Sequence, residues 1–238
     1  MTVQLITSNY RTMDTLIKFC GFTNLEDSLE AVKLGVNYLG FILEVPASKR
    51  SLNLHTFYQI VRELKENYPG NYQIVAVTQN QDKFKLAQIL DMGLADILQF
   101  HGQEKPELLS EFYFNVETWK VFEVTSATNF EKIQVKMADY KNVTRRFLLD
   151  LPKRAEEKEF SNIELYKKAA NMGYNLAIAG GLNKNNIEIY LQELEPEIID
   201  VTSSIELEPG RKDHNKMLEF VQTVRNFKPR ISYDRFGI

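Results

Sequence analysis

The only cysteine of the chain, Cys20, lies between an apolar run and a helix signal in the stretch Leu16–Asn24 (LIKFCGFTN). Free cysteines are among the most buried residue types, so packing as a small hydrophobe is one interpretation. The other is a reactive thiolate, which forms where positive charge or a helix N-terminus lowers the pKa of the thiol. The elements that position Cys20 decide between the two.

Eight short apolar runs alternate with eight helical patterns along the sequence. Strands that are separated by helices pair in parallel, and nearly continuous apolar strands fit a sheet covered by helices. Eight such units in 238 residues predict a (β/α)8 barrel, with a doubly wound open sheet as the alternative. The predicted strands are Leu16–Cys20, Tyr38–Leu43, Tyr72–Val77, Asp96–Phe100, Thr118–Val124, Arg146–Asp150, Asn175–Ala179 and Ile198–Val201. The predicted helices are Leu25–Leu34, Leu54–Tyr68, Lys83–Leu90, Pro106–Phe112, Phe130–Ala138, Asn162–Met172, Asn185–Leu194 and Asp213–Val224.

No linker rich in Pro, Gly or Ser interrupts this series of units. We therefore expect one domain over residues 1–238, with residues 1–14 and 227–238 as terminal extensions outside the eight units.

In such a barrel the active site is built at the C-terminal ends of the strands. Cys20 ends the first predicted strand, Asp150 ends the sixth, and His101 follows the fourth. The turns Ala179–Leu182 and Val201–Ser204 follow strands seven and eight, where loops frequently bind a phosphate through backbone N–H groups. The expected site therefore joins a thiol, a carboxyl group and a phosphate position.

The composition excludes several classes of protein. Hydrophobic residues make up 44% and charged residues 26% of the chain, which argues against disorder. A formal net charge of −3 gives no reason to expect a nucleic-acid or membrane partner. One cysteine makes no intramolecular disulfide, and residues 1–14 show no signal-peptide pattern. We therefore expect a soluble, cytoplasmic protein.

Motifs through most of the chain resemble the phosphoribosylanthranilate isomerase family of tryptophan biosynthesis. They occur in the family's order and on the expected barrel elements. The motifs are Lys18–Thr23 (KFCGFT), Leu39–Phe41 (LGF), Ser48–Arg50 (SKR), Gln99–Gly102 (QFHG), Leu148–Asp150 (LLD), Ala179–Asn183 (AGGLN), Asp200–Ser203 (DVTS) and Pro209–Asp213 (PGRKD).

The resemblance implies an enzyme that carries out an Amadori rearrangement of a small phosphorylated substrate, without a metal or organic cofactor, as a monomer or homodimer. It implies Cys20 as the general base and Asp150 as the general acid, whose pKa values must be pushed apart by their surroundings. It also implies that Arg50 binds the anthranilate carboxylate, since a guanidinium can form two parallel hydrogen bonds with it. The other implied substrate-binding residues are His101, Gly180, Gly181, Ser203 and Ser204.

Three segments depart from the family's pattern. After strand three, the family's Gly-Val-Phe-Val-Asn is here Ala76–Asn80 (AVTQN), a more polar loop. The family usually carries a glycine-rich loop of the GGTG type after strand six, whereas Leu151–Phe160 is charged and has no glycine. Its usual Ser-Ser-Gly after strand eight is here Thr202–Ser204. These departures keep two alternatives open. One is a diverged barrel that binds a phosphorylated ligand or a protein partner without catalysis, and the other is an isomerase for a different ribosyl-phosphate amine.

Individual residues also have structural interpretations. Asp150 is able to cap a helix or pair with Arg146 or Lys153 instead of donating a proton. His55 and His214 are expected to be surface histidines, and Arg211–Asp213 to form the start of the last helix.

Overall fold

The computed structural model describes residues 15–124, 130–151 and 157–229, and for residues 157–162 it describes the backbone alone. Within these residues the main sheet has nine strands. One of them, Ser51–Leu52, has two residues and pairs only with Ile42 and Leu43. The other eight are β1 (Leu16–Cys20), β2 (Tyr38–Leu43), β3 (Gln73–Thr78), β4 (Ile97–Phe100), β5 (Glu117–Glu123), β6 (Arg146–Asp150), β7 (Leu176–Ala179) and β8 (Ile198–Val201). Each pairs in parallel with the next, and β1 also pairs with β8, so the sheet closes into a barrel. The predicted (β/α)8 barrel is confirmed, and the open sheet is excluded.

One helix follows each of these strands. The helices are α1 (Leu25–Lys33), α2 (Leu54–Asn67), α3 (Lys83–Asp91), α4 (Pro106–Ser110), α5 (Phe130–Tyr140), α6 (Glu157–Ala170), α7 (Ile187–Leu194) and α8 (His214–Asn226). Side-chain oxygens of Asn24, Asn53, Asp82 and Asp213 accept backbone N–H groups at the starts of α1, α2, α3 and α8. Such caps satisfy donors that have no acceptor within the helix. In the described residues, no helix has both the length and the apolar character needed to cross a bilayer.

Apolar side chains pack in two layers. The outer layer lies between strands and helices and includes Phe19 and Phe41, whereas the inner layer fills the barrel and includes Val75 and Trp119. Because successive residues of a strand point to opposite faces, Phe19 faces the helices while Cys20 faces the barrel interior. The alternation of β1 thus places the thiol at the C-terminal mouth of the barrel.

The structure corrects two predictions near the C-terminus. Arg211–Lys212 does not begin the last helix but pairs as a short antiparallel strand with Glu206–Glu208. The helix begins later because the Asp213 side chain accepts the N–H groups of Asn215 and Lys216 as its N-cap. His214 is not an ordinary surface histidine, since its Nε2 lies 2.8 Å from Oδ1 of the buried Asp27.

The glycine-free segment after β6 is only partly a loop. Residues 157–160 form the first turn of α6, which suits their Glu and Lys content because both are good helix formers. Residues 152–156 lie outside the described residues, as do residues 1–14 and 230–238. The expectations about the rest of this segment and about most of the terminal extensions therefore fall outside the structure.

Candidate active site

A cavity of about 180 Å³ opens at the C-terminal ends of the barrel strands. Seven of the eight predicted site residues line it, although they are spread over 184 positions of the sequence, from residue 20 to residue 203. They are Cys20, Arg50, His101, Asp150, Gly180, Gly181 and Ser203. The barrel topology therefore gathers these groups at one mouth, where a single small ligand is able to contact all of them.

Cys20 lies in a buried group of charged side chains from β1 and β8. The ammonium of Lys18 lies 2.7 Å from Oδ2 of Asp200 and is close enough to Cys20 to lower the pKa of its thiol. Both charged side chains are more than nine-tenths buried. Opposite Cys20 in the neighbouring strand stands Gly40, where a Cβ atom would lie 2.8 Å from the sulfur. The absence of a side chain on β2 therefore leaves room for the thiol.

The charges around Cys20 shift two pKa values. Burial raises the pKa of the Cys20 thiol, and the nearby Lys18 ammonium offsets this only in part. Burial would lower the pKa of Lys18, but Asp200 and Cys20 together outweigh that effect and leave this pKa raised. Lys18 is thus held in its charged form, while the thiol is favoured over the thiolate in the empty cavity.

The Arg50 guanidinium forms an ion pair with Glu206. Its Nε lies 2.9 Å from Oε1 and its Nη2 lies 2.6 Å from Oε2. This hydrogen-bonded pairing raises the pKa of Arg50 above its usual value. Glu206 uses the Nε–Nη2 edge of the guanidinium, so the Nη1–Nη2 edge is the one through which Arg50 would offer two parallel hydrogen bonds to a ligand carboxylate.

Asp150 and His101 form a more open part of the cavity. Oδ2 of Asp150 lies 3.6 Å from Nε2 of His101, which in turn lies 3.7 Å from Oε1 of Glu123. These separations exceed hydrogen-bond lengths, so the imidazole is close to both carboxylates without bonding to either. Arg146 does not pair with Asp150, because its guanidinium makes two 2.8 Å hydrogen bonds with Glu197.

The residues predicted to bind phosphate differ in how they face the cavity. Gly180, Gly181 and Ser203 line it. Gly180 has φ +90, and a Cβ atom there would lie 1.9 Å from the Leu151 carbonyl oxygen, so a side chain is excluded. Ser204 is not among the lining residues, and its hydroxyl donates a 2.6 Å hydrogen bond to the Leu182 carbonyl. Because its hydroxyl is used in this way, Ser204 would bind a phosphate through its backbone N–H.

Two further buried polar residues line the cavity, although the sequence analysis assigned them no role. Gln99 and Asp200 are 2% and 7% exposed, and neither Gln99 Oε1 nor Asp200 Oδ1 accepts a hydrogen bond from the described residues. Both occupy inward positions near strand ends, and Gln99 lies two residues before His101. A polar residue in an otherwise apolar strand, at an inward position near the mouth, is the sequence signal that identifies them.

In the described part of the chain, no group of three or more His, Cys, Asp or Glu side chains is arranged to hold an ion. The candidate site brings a thiol, a carboxyl group and a guanidinium together around one small cavity.

Residues 17–223 match the family model described as N-(5′-phosphoribosyl)anthranilate (PRA) isomerase. The chain belongs to the PRA isomerase family. A PRA isomerase of Sulfurihydrogenibium sp. (strain YO3AOP1) is 30% identical over 215 residues, which cover 89% of this chain and 99% of that relative. The PRA isomerase of Aquifex aeolicus is 32% identical over 213 residues, covering 88% and 98%.

Solved structures of PRA isomerases share the barrel. The enzyme of Thermotoga maritima superposes with a TM-score of 0.77 at 26% identity, covering 89% of this chain and 99% of that one. Another PRA isomerase structure, in complex with reduced 1-(o-carboxyphenylamino)-1-deoxyribulose 5-phosphate, gives a TM-score of 0.72 at 25% identity, covering 89% and 99%. The predicted family resemblance is confirmed, and the chain is an isomerase of tryptophan biosynthesis.

Proposed function

We propose that this chain converts N-(5-phosphoribosyl)anthranilate to 1-(o-carboxyphenylamino)-1-deoxyribulose 5-phosphate, with Cys20 as the general base and Asp150 as the general acid. The observation that carries the assignment of roles is that Cys20, Asp150 and Arg50 line one cavity in a member of this family. A ligand that fills the cavity would lie between the thiol and the carboxyl group.

The first step opens the ribose ring. The protonated carboxyl group of Asp150 donates its proton to the ring oxygen, and the bond from that oxygen to C1′ breaks. The lone pair of the anthranilate nitrogen forms the double bond of a Schiff base with C1′. Asp150 must therefore carry a proton when substrate binds, which requires that the filled cavity excludes water from it.

The second step moves the C2′ proton. The Schiff base makes this proton acidic, and the Cys20 thiolate removes it to give an enolamine that tautomerises to the 2′-ketone. The Lys18 ammonium lowers the pKa of Cys20 electrostatically and would stabilise the thiolate. The raised pKa of Cys20 makes the thiolate a minor form at neutral pH but a stronger base when it forms.

The two ends of the substrate would be held by different elements. Arg50 would bind the anthranilate carboxylate, and backbone N–H groups of Gly180, Gly181, Ser203 and Ser204 would bind the phosphate. The missing side chain at Gly180 allows this turn to pass close to the backbone of Leu151, next to Asp150. His101 would line the site as a hydrogen-bonding residue.

We further propose that the chain works as one domain over residues 1–238 in the cytoplasm, without a nucleic-acid or membrane partner and without a cofactor, as a monomer or homodimer. Residues 1–14 and 227–238 would then be extensions of the barrel.

Complementation of a tryptophan auxotroph that lacks PRA isomerase tests the proposed function. Growth with the wild-type chain, and no growth with Asp150→Asn, is the expected result. A purified protein that binds the reduced product analogue but shows no isomerisation at any pH would instead favour the diverged, non-catalytic barrel.

A further inference from the structure

The short hairpin after β8, residues 206–212, carries charges that no step of the reaction uses. Glu206 is only 4% exposed at its side chain, and besides Arg50 it accepts hydrogen bonds from Lys212 Nζ at 3.0 Å and from the Gly210 N–H at 3.2 Å. Lys212 Nζ also donates 2.5 Å and 3.4 Å hydrogen bonds to the carbonyl oxygens of Cys20 and Thr202. Both side chains are thus fixed from several directions.

These contacts join the hairpin to both sides of the cavity. Through Lys212 the hairpin bonds to the end of β1, where the thiol lies, and through Glu206 it bonds to Arg50 in the loop after β2. Arg50 lies in the loop after β2 and has a long side chain with many rotamers, so its orientation is not fixed by its backbone alone. The hydrogen bonds that its Nε and Nη2 donate to the Glu206 carboxylate fix that orientation.

The charge balance leaves Arg50 able to attract an anion. Glu206 carries a negative charge beside Arg50, and burial, which would raise its pKa, is outweighed by the two cations, so that its pKa is lowered. Lys212 offsets that negative charge at 3.0 Å, which leaves the three side chains with a net charge of +1. The pairing therefore orients the guanidinium without cancelling its attraction for a carboxylate.

We propose that Glu206 is a positioning and specificity-determining residue, which holds Arg50 by its Nε–Nη2 edge so that the Nη1–Nη2 edge receives the substrate carboxylate. This inference rests on the proposed function. The negative charge of Glu206 has two opposite effects on how Arg50 binds a carboxylate. If it orients Arg50, removing its charge weakens carboxylate recognition, whereas if it competes with the ligand for Arg50, removing its charge strengthens that recognition.

The experiment compares two ligands by calorimetry: the reduced product analogue and the same compound without the ring carboxylate. The dissociation constant of the compound without the carboxylate, divided by that of the reduced product analogue, measures recognition of the carboxylate. A larger ratio means stronger recognition. Glu206→Gln should reduce this ratio by about tenfold, as expected for a weakened charge-assisted hydrogen bond. Binding of the analogue without the carboxylate should stay nearly unchanged. An unchanged or larger ratio in Glu206→Gln would overturn the proposal.

Controls separate positioning from damage to the fold. Glu208→Gln removes the same charge from an exposed position of the same hairpin and should leave the ratio unchanged. In an Arg50→Ala background, Glu206→Gln should reduce the ratio no further, because Glu206 acts through Arg50. An equal reduction in that background would show that Glu206 acts through the fold and would overturn the proposal. A wild-type chain that does not distinguish the two ligands contradicts the proposed function itself.

Discussion

The two sides of the candidate site are built differently. Cys20 is surrounded by strand residues, with the ion pair of Lys18 and Asp200 almost wholly buried beside it. The side chains of Asp150 and His101 are more than a quarter exposed, and Oδ2 of Asp150 lies 3.6 Å from Nε2 of His101. The base side is thus fixed before substrate arrives, while the acid side depends on what covers it.

This difference matters because acid–base catalysis needs two groups with opposite protonation states. The buried ion pair determines the environment of Cys20 in the empty enzyme, and it leaves the pKa of the thiol raised. At the other side, the exclusion of water by a bound ligand would keep Asp150 protonated. Substitutions on the two sides should therefore have different signatures.

The largest effect is expected from Asp150→Asn. Without a proton donor for the ring oxygen the reaction stops, with a loss of turnover at or beyond the upper end of about 10²–10⁴-fold for a general acid. Affinity for the reduced product analogue should be nearly unchanged. Glu123→Gln, a matched change at the exposed neighbour of His101, should leave turnover within a few fold. Equal losses of turnover in Asp150→Asn and Glu123→Gln would contradict the role of Asp150 as proton donor. They would show that only the total negative charge near His101 matters.

Cys20→Ala should lower turnover by about 10²–10⁴-fold while leaving ligand binding nearly intact. Steady-state kinetics together with calorimetry on the reduced product analogue measure both quantities. Near-normal turnover in this variant would show that Cys20 is a small core residue and not the general base.

Much of this arrangement could be predicted from local sequence. Strand ends are marked by apolar runs and by the helix caps that follow, so Cys20 and Asp150 could be assigned to the mouth of the barrel. The pairing of Arg50 with Glu206 could not, since it joins positions 156 residues apart through side-chain geometry. The strand at Arg211–Lys212 was also missed, because its bonds to Glu206–Glu208 are set by tertiary contacts rather than by periodicity.

A smaller effect is expected at Gln99, whose Oε1 is buried and accepts no hydrogen bond from the described residues. If a substrate hydroxyl donates to it, Gln99→Leu should raise the Michaelis constant by roughly tenfold. The same change should raise the free energy of unfolding by about 1 kcal/mol, because an unsatisfied polar group is removed. Kinetics and urea unfolding measure the two.

Gln73→Leu is the matched control for this pair of measurements, since Gln73 is an exposed residue at the other end of a barrel strand. It should change neither quantity appreciably. A Gln99→Leu variant with an unchanged Michaelis constant would show that the buried amide oxygen does not contact substrate.

The smallest effect is expected in the pH dependence of stability. The pKa of Cys20 is raised in the folded chain, chiefly by burial, above the value of about 8.5 for a free thiol. A group whose pKa is raised on folding stabilises the fold fully below its unfolded pKa, and this contribution is lost as pH rises through the folded pKa. Raising the pH from 8 to 10 should therefore reduce the free energy of unfolding more in the wild-type chain than in Cys20→Ser.

The comparison between wild type and Cys20→Ser isolates the thiol, because every other titrating group is common to both. Urea unfolding at the two pH values gives the free energies, and the ultraviolet absorbance of the thiolate gives the titration itself. A thiolate that forms below pH 8.5 in the empty enzyme would contradict the prediction. It would mean that Lys18 outweighs burial, and that the base side enters the reaction already deprotonated.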